Sequence, residues 1–232
     1  MNNKQTEIKF KDIQRFWIKN TLSVVHCGAH LAEELEDYES LGWNDIIWIE
    51  ANPRLITALH ARLTHHSSSK VINATLWSES DKSLKLKIAN NSYSSSVLNF
   101  GKHSEIYPDI TYKDEIEVIS RTLDSVLSKF GDLNHALLVL DLQGVEKEVL
   151  QGAIQSLEHF DFIYLEVSKD RLYEAQAEWK DITKFLTEFD FKLVDWQYSK
   201  SLRWGNALYQ RSPKKGQTVF RRIHRRFIHS HS

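Results

Sequence analysis

The sequence predicts an α/β protein built on a doubly wound, mostly parallel sheet. Short apolar segments of strand length alternate with segments of helical period, the arrangement expected of strand–helix–strand units. Several of the strand segments are unbroken apolar runs, as strands covered by helices on both faces must be. These runs also stop at a glycine or an acid: "VVHCGAH" turns at Gly28, "DIIWIE" closes on Glu50, "HALLVLD" on Asp141 and "DFIYLEV" on Glu166.

The elements follow in order. After an N-terminal helix within residues 1–22, "TLSVVHC" is a first apolar strand, and "LAEELEDYESLG" reads as a helix ending at Gly42. "DIIWIE" is a second buried strand. Pro53 suits the first turn of the next helix, where its missing N–H costs nothing, and "RLITALHARL" supplies that helix's apolar face. "KVINATL" is a third strand. Residues 78–122 then break the rhythm: "SLKLKIA" and "EIEVIS" alternate strictly at period two, and between them runs the polar, aromatic-dotted "NNSYSSSVLNFGKHSEIYPDITYKD". A loop of that length inside a compact domain is usually functional or disordered, so this β-rich insertion is the natural place for a lid or a substrate-binding element. "HALLVLD", the helix "VEKEVLQGAIQSL", "DFIYLEV" and the helix "WKDITKFLTEF" restore the alternation, and "FKLVDWQY" with "RWGNALYQ" reads as a closing hairpin. The domain therefore spans 23–210.

Composition narrows the class. The 232 residues are 41% hydrophobic and 26% charged, with eight Gly and three Pro, which suits one globular domain without low-complexity linkers. There is no internal repeat, no apolar run near the roughly 20 residues of a membrane span, and no leader-like apolar segment at the start. The single cysteine excludes an internal disulfide framework, so a reducing, cytoplasmic setting is expected. The net charge of −1 hides an asymmetry: residues 211–232 carry seven Lys or Arg and no acid, leaving 23 basic against 31 acidic residues before them. In "TVFRRIHRRFIHSHS", Val219, Phe220, Ile223, Phe227 and Ile228 share one helical face and the arginines largely the other. Such a basic amphipathic tail either docks peripherally on an anionic membrane face or packs on the acidic body or a second subunit. The acidic body argues against a nucleic-acid partner.

The strand ends suggest a ligand. In open parallel sheets ligands lie beyond the carboxyl ends of the strands, and an acid about 20 residues after the glycine turn takes ribose hydroxyls. Glu50 follows Gly28 by 22 residues. The plainer alternative makes Gly28 an ordinary turn and Glu50 a helix-capping acid. A dinucleotide would require three glycines; "CGAHLAEE" has one, followed by two acids that repel a pyrophosphate. A nucleoside bearing cationic groups, such as S-adenosylmethionine, tolerates those acids.

Taken together, "VHCGAHLAEELEDYESLGW", "IIWIEANPRLITAL", "NNSYSSSVLNF", "RTLDSVL", "LLVLDLQGVEKEVLQGA" and "DFIYLEVS" resemble the FkbM-type family of S-adenosylmethionine-dependent methyltransferases, over roughly residues 23–210. The resemblance implies the class I (Rossmann-like) fold, a seven-stranded and mostly parallel sheet whose last hairpin inserts one antiparallel strand. It also implies methyl transfer to a hydroxyl of a sugar, glycan or small-molecule acceptor. Two residues depart from the pattern: His26 stands where the family has Asp, which puts the hold on the cofactor's ammonium in question, and Ala32 stands for Gly, a mild change if the helix start needs only small size. The cofactor site is then Gly28 and His30 at the turn under the methionine moiety, Glu50 on the ribose with Asn52 and Pro53 positioning its turn, and Thr75 and Leu76 beside the adenine. His30 reads equally as a surface turn residue, and Trp77 either stacks on the adenine or belongs to the core. By the same resemblance Asp141 lies closest to the transferring methyl, as cofactor ligand or as general base. Glu166 is the second candidate base or a helix cap, and His103 a third or a solvated loop residue. Asp141, Glu146 and Glu166 are candidate oxygen ligands for Mg²⁺ that the spacing does not bring together, and with no Cys or His cluster in the domain a zinc site is not expected, so no metal ligands are assigned. An alternative to the enzyme is a methyltransferase-like scaffold, inactive through His26.

Overall fold

The computed structural model describes residues 9–13, 23–131, 133 and 135–212. In chain order the elements are α1 (Phe10–Ile13), β1 (Ser23–Cys27), α2 (Leu35–Ser40), β2 (Asp45–Glu50), α3 (Ile56–Arg62), β3 (Lys70–Asn73), β4 (Thr75–Leu76), β5 (Ser83–Ala89), α4 (His103–Ile106), β6 (Tyr112–Arg121), α5 (Leu123–Leu127), β7 (Ala136–Leu140), α6 (Glu146–Gln151), a 3-10 turn (Ser156–His159), β8 (Phe160–Ser168), α7 (Trp179–Glu188), β9 (Phe191–Tyr198) and β10 (Trp204–Arg211).

Seven strands form one sheet in the order β3-β2-β1-β7-β8-β10-β9. β3, β2, β1, β7 and β8 run parallel, and β10 lies antiparallel between β8 and β9. The strand order reverses at β1 and β7, so the switch point falls between the ends of those two strands. Their apolar runs are explained by side-chain alternation: Val25, Cys27, Leu138 and Leu140 enter one core, while Val24, Leu137 and Val139 enter the other. Helices cover both faces, so neither set meets water.

Several boundaries differ from the sequence expectation. The helix expected from Leu31 begins only at Leu35, because His30 (φ 42°) and Ala32 (φ 57°) hold the chain in a left-handed turn. It does end at Gly42 (φ 76°), where the Gly42 and Trp43 amides donate to Glu39 and Tyr38. "KVINATL" divides at Ala74: β3 stays in the main sheet, while β4 pairs with β6 in a second, three-stranded sheet of order β4-β6-β5. The helix expected over 145–157 breaks after α6, at Gly152, which lies so close to Trp77 that a Cβ would stand 2.3 Å from the Trp77 carbonyl oxygen. β8 continues through Glu166 to Ser168, so that acid lies within the strand, opposite Asn206 of β10, and neither ends it nor caps a helix.

The insertion is ordered. β5 and β6 pair antiparallel, and the segment between them is tied down by bridges from Ser96 to Lys87 and from Phe100 to Tyr173. Arg211, taken from sequence as the first tail residue, closes β10; its guanidinium donates to the carbonyls of Leu157, Phe160 and Phe189. The amphipathic segment beyond it, and most of the expected N-terminal helix, lie outside the described residues. Among the described residues no helix is long and apolar enough to cross a membrane.

Candidate functional site

The turn after β1 is built by close backbone approach. Gly28 has φ 87°, and a Cβ there would stand 1.8 Å from the Asp141 carbonyl oxygen, so only glycine fits. The Gly28 and Ala29 amides both donate to the Ile49 carbonyl, at 2.9 and 3.0 Å, and the Asp141 amide donates to Cys27 at 3.0 Å. The ends of β1, β2 and β7 are thereby fastened together. Ala32 is not the mild replacement expected: its positive φ is the conformation that costs a residue with a Cβ about 1 kcal/mol.

Glu50 organises the same turn. Its Oε2 accepts the His30 amide at 2.8 Å and its Oε1 accepts the Asn52 amide at 2.6 Å. Burial raises its pKa, and those two amides pull it back. Asn52 in turn accepts the Arg54 amide at 3.1 Å, and Asn73 donates to the Glu50 carbonyl at 2.8 Å. His30 is no free surface residue. Its Nδ1 meets Glu33 at 2.7 Å, its Nε2 meets Ser92 at 2.8 Å, and its ring packs on Tyr93 with centroids 4.2 Å apart.

These groups line a cleft of about 830 Å3, counting its open mouth. Gly28, His30, Glu50, Asn52, Thr75, Leu76 and Asp141 are all among its lining residues. Trp77 is not; it packs partly buried against the core. Sequence reasoning missed the other wall as a set of contacts: Ser92, Tyr93, Ser95, Ser96 and Val97 from the insertion, and Leu142, Gln143 and Val145 after β7. The polar run "NNSYSSSV" was the available signal, since it carries too many hydroxyls for a core strand.

Asp141 is the junction. Its Oδ1 accepts the Gln143 amide at 2.6 Å, and the Tyr173 hydroxyl donates to the Gln143 carbonyl oxygen at 2.7 Å. Ser96 donates to the Gln143 backbone carbonyl at 2.8 Å, which ties the insertion to the same turn. The protein packed around Asp141 raises its pKa although water reaches the carboxylate; Gln143 lowers it and Glu34 raises it again. Glu166 is pushed well above the ordinary carboxyl value by burial and then by Asp141 and Glu146. Asp141 and Glu166 both line a second cleft, next to the first.

The remaining candidates sit apart. Glu146 is buried at the start of α6, where its Oε1 accepts the Leu142 and Gly144 amides; burial pushes its pKa up to about 7. His103 is a buried aromatic-cluster residue, stacked on Phe100 with centroids 4.3 Å apart, neither solvated nor lining either cleft. Among the described residues no group of three or more His, Cys, Asp or Glu is placed to hold a metal ion.

Residues 26–193 match the model of the FkbM methyltransferase domain family. Over 97 residues the chain is 32% identical to the 2-O-methyltransferase NoeI of Sinorhizobium fredii, a match covering 42% of this chain and 40% of that protein. The match therefore spans less than half of the relative. Among solved structures, the ribosomal protein L11 methylase from Lactobacillus delbrueckii subsp. bulgaricus superposes with a TM-score of 0.51 at 11% identity, covering 92% of this chain and 81% of that one. A protein of the NADB-Rossmann superfamily from Streptococcus agalactiae gives 0.51 at 13% identity, covering 90% and 72%. At those identities the likeness is one of fold.

Proposed function

This chain belongs to the FkbM methyltransferase family, whose members use S-adenosylmethionine on a class I fold, and from that premise we propose that it methylates a hydroxyl oxygen of a sugar, glycan or small-molecule acceptor. The observation that carries the reading is that Asp141 is, among the described residues, the one lining both clefts. A group in that position can face cofactor on one side and acceptor on the other.

The first cleft suits the cofactor on its own chemistry. Each Glu50 oxygen accepts one amide and keeps further acceptor capacity for a ribose hydroxyl. Gly28 leaves the backbone bare at the turn, and Thr75 and Leu76, both buried, offer an apolar-walled slot for a base. When bound, S-adenosylmethionine supplies a sulfonium methyl open to in-line displacement by an oxygen nucleophile. Asp141 would accept the proton of the attacking hydroxyl, its carboxylate oriented by Gln143. Glu166 stands beside it on the acceptor side as the second acid or base.

The partial match to a 2-O-methyltransferase supports a hydroxyl acceptor. The scaffold alternative rested on His26 meeting the cofactor, and His26 lines the second cleft, not the first. The test uses methyl-labelled S-adenosylmethionine with a panel of glycans and small hydroxylated acceptors. We expect Asp141→Asn or Glu166→Gln to lower turnover by about 10² to 10⁴ with only a modest change in acceptor affinity. Near-normal turnover in both variants would remove the base role, and a product methylated on nitrogen or carbon would remove the O-methyl assignment.

A further inference from the structure

Three side chains in line lead from the core to the acid between the clefts. Tyr173, 1% exposed, follows β8, and its hydroxyl donates to Gln143 Oε1 at 2.7 Å. Gln143 Nε2 donates in turn to Asp141 Oδ1 at 2.6 Å. Chemistry sets the direction of this chain at both ends. An ionised carboxylate only accepts, so the amide turns its NH2 toward Asp141, and its carbonyl oxygen then faces Tyr173 and needs a donor. Burial, and Glu166 after it, hold the Tyr173 pKa well above the ordinary phenol value, so the hydroxyl keeps its proton and donates. A competing acceptor, the Ser94 carbonyl, is farther away at 3.5 Å.

The backbone marks the same contact independently. Gln143 lies at φ 54° and Gly144 at φ 105°, a left-handed pair that persists only where its surroundings hold it. Tyr173 is the surface on which this turn closes: a Cβ on Gly144 would stand 3.0 Å from the tyrosine side chain. Ser96 donates to the Gln143 backbone carbonyl at 2.8 Å. Tyr173 is itself fixed, its amide donating to Gln176 Oε1 at 3.2 Å and its backbone bridging to Phe100 of the insertion.

We propose that Tyr173, which lines neither cleft, is a positioning residue for the transfer: acting through Gln143, it keeps Asp141 Oδ1 engaged and leaves Oδ2 to take the acceptor's proton. The proposal rests on the methyl-transfer reading, from which Asp141 takes its role as base. A glutamine side chain has three rotatable bonds; held at one end only it samples several rotamers, and the carboxylate loses its donor part of the time. Held at both ends it keeps that donor in place, which favours the ionised form from which a base must start. Among the described residues His26 on β1, Glu33 and Glu34 ahead of α2, Glu146 on α6 and Glu166 on β8 also act on Asp141 electrostatically. All five stay in place in the variants that follow, so a difference between variants reads the Tyr173 to Gln143 contact.

The experiment follows aspartate carboxyl 13C signals against pH by NMR on the full chain, with and without S-adenosylhomocysteine, the Asp141 signal being the one lost in Asp141→Asn. Tyr173→Phe keeps the ring against Gly144 and removes only the hydroxyl; we expect it to move the Asp141 titration to higher pH and leave the other aspartates where they were. Gln143→Asn tolerates the left-handed backbone but has an amide one methylene short, and it should move Asp141 the same way. The double variant should match Gln143→Asn alone, as it must if Tyr173 acts only through Gln143. With an acceptor that the wild type methylates, kcat of Tyr173→Phe should fall about tenfold at little change in KM, with the acid limb of the pH–rate profile displaced upward. An unmoved Asp141 in either single variant, additive displacements in the double variant, or an unchanged kcat overturns the proposal; a purely structural hydroxyl would alter stability and leave Asp141 alone. The titrations need no acceptor, whereas near-normal turnover in Asp141→Asn strikes at the base role in the methyl-transfer reading, so the two failures are told apart.

Discussion

At Gly28 a side chain meets two obstacles, a left-handed backbone and the Asp141 carbonyl at 1.8 Å from any Cβ. Gly28→Ala must strain the turn or push β7 away, and we expect a loss of at least about 2 kcal/mol in chemical denaturation, together with weakened cofactor binding. A variant as stable as the wild type would mean that the β1 and β7 ends are not held as tightly as the geometry implies. Glu50 poses a different case. Its two backbone amides can find water in the open cleft when the carboxylate is removed, so Glu50→Ala should fold while losing ribose contacts of about 1.5 to 3 kcal/mol each before desolvation. Calorimetry should show affinity lower by at least about 10²; unchanged affinity in a folded variant removes Glu50 from the cofactor site. Both residues were legible in the sequence because glycine and a strand-end acid are chosen for backbone and charge. Gln143 and Ser96 were not legible as partners, since they meet only through folding, 47 residues apart.

Among the elements, α6 stores an acid at its start. Glu146 has a folded pKa of about 7 against an ordinary 4.5, so the folded chain holds a proton there that the unfolded chain releases. Its contribution is fully present below pH 4.5 and is lost as pH rises through about 7. Glu146→Gln keeps the Oε1 acceptor for the Leu142 and Gly144 amides and removes the titration. Relative to wild type, the variant should gain up to about 3 kcal/mol between pH 4.5 and 7.5. A pH-independent difference between the two proteins would show that Glu146 titrates normally. The insertion is the element that reached furthest beyond its sequence signal. Period-two alternation identifies β5 and β6, but it cannot show that the serine run between them folds back to contact His30 and wall the cleft.

For the molecule as a whole, buried carboxyls set an unusual pH response. Glu50, Glu146 and Glu166 all have raised pKa values, burial being the first cause in each. Glu146, with its folded pKa of about 7, therefore takes up a proton between pH 8 and 6.5 that the unfolded state does not, Glu166 shifts the balance the same way, and stability rises as pH falls. His26 acts in the opposite sense below about pH 6.5: its folded pKa of about 4 means that the unfolded chain binds the proton first, so stability is lost on further acidification toward pH 4. Thermal unfolding should give a Tm higher by about 3 to 8 °C at pH 6.5 than at pH 8, for a gain of roughly 1 to 2 kcal/mol. An equal or lower Tm at pH 6.5 would mean that these carboxyls are ionised in the fold.

The sequence by itself determined the alternation of strands and helices, the doubly wound sheet and the strand-end residues, because periodicity, glycine and buried charge are local properties that each residue carries with it. Only the tertiary structure decided that Asp141 joins two clefts, that Glu166 lies inside β8 and that His26 faces the second cleft. Those placements depend on strand register and on which face a residue takes, and a shift of one position along a strand reverses the face without altering the apolar pattern that predicts the strand.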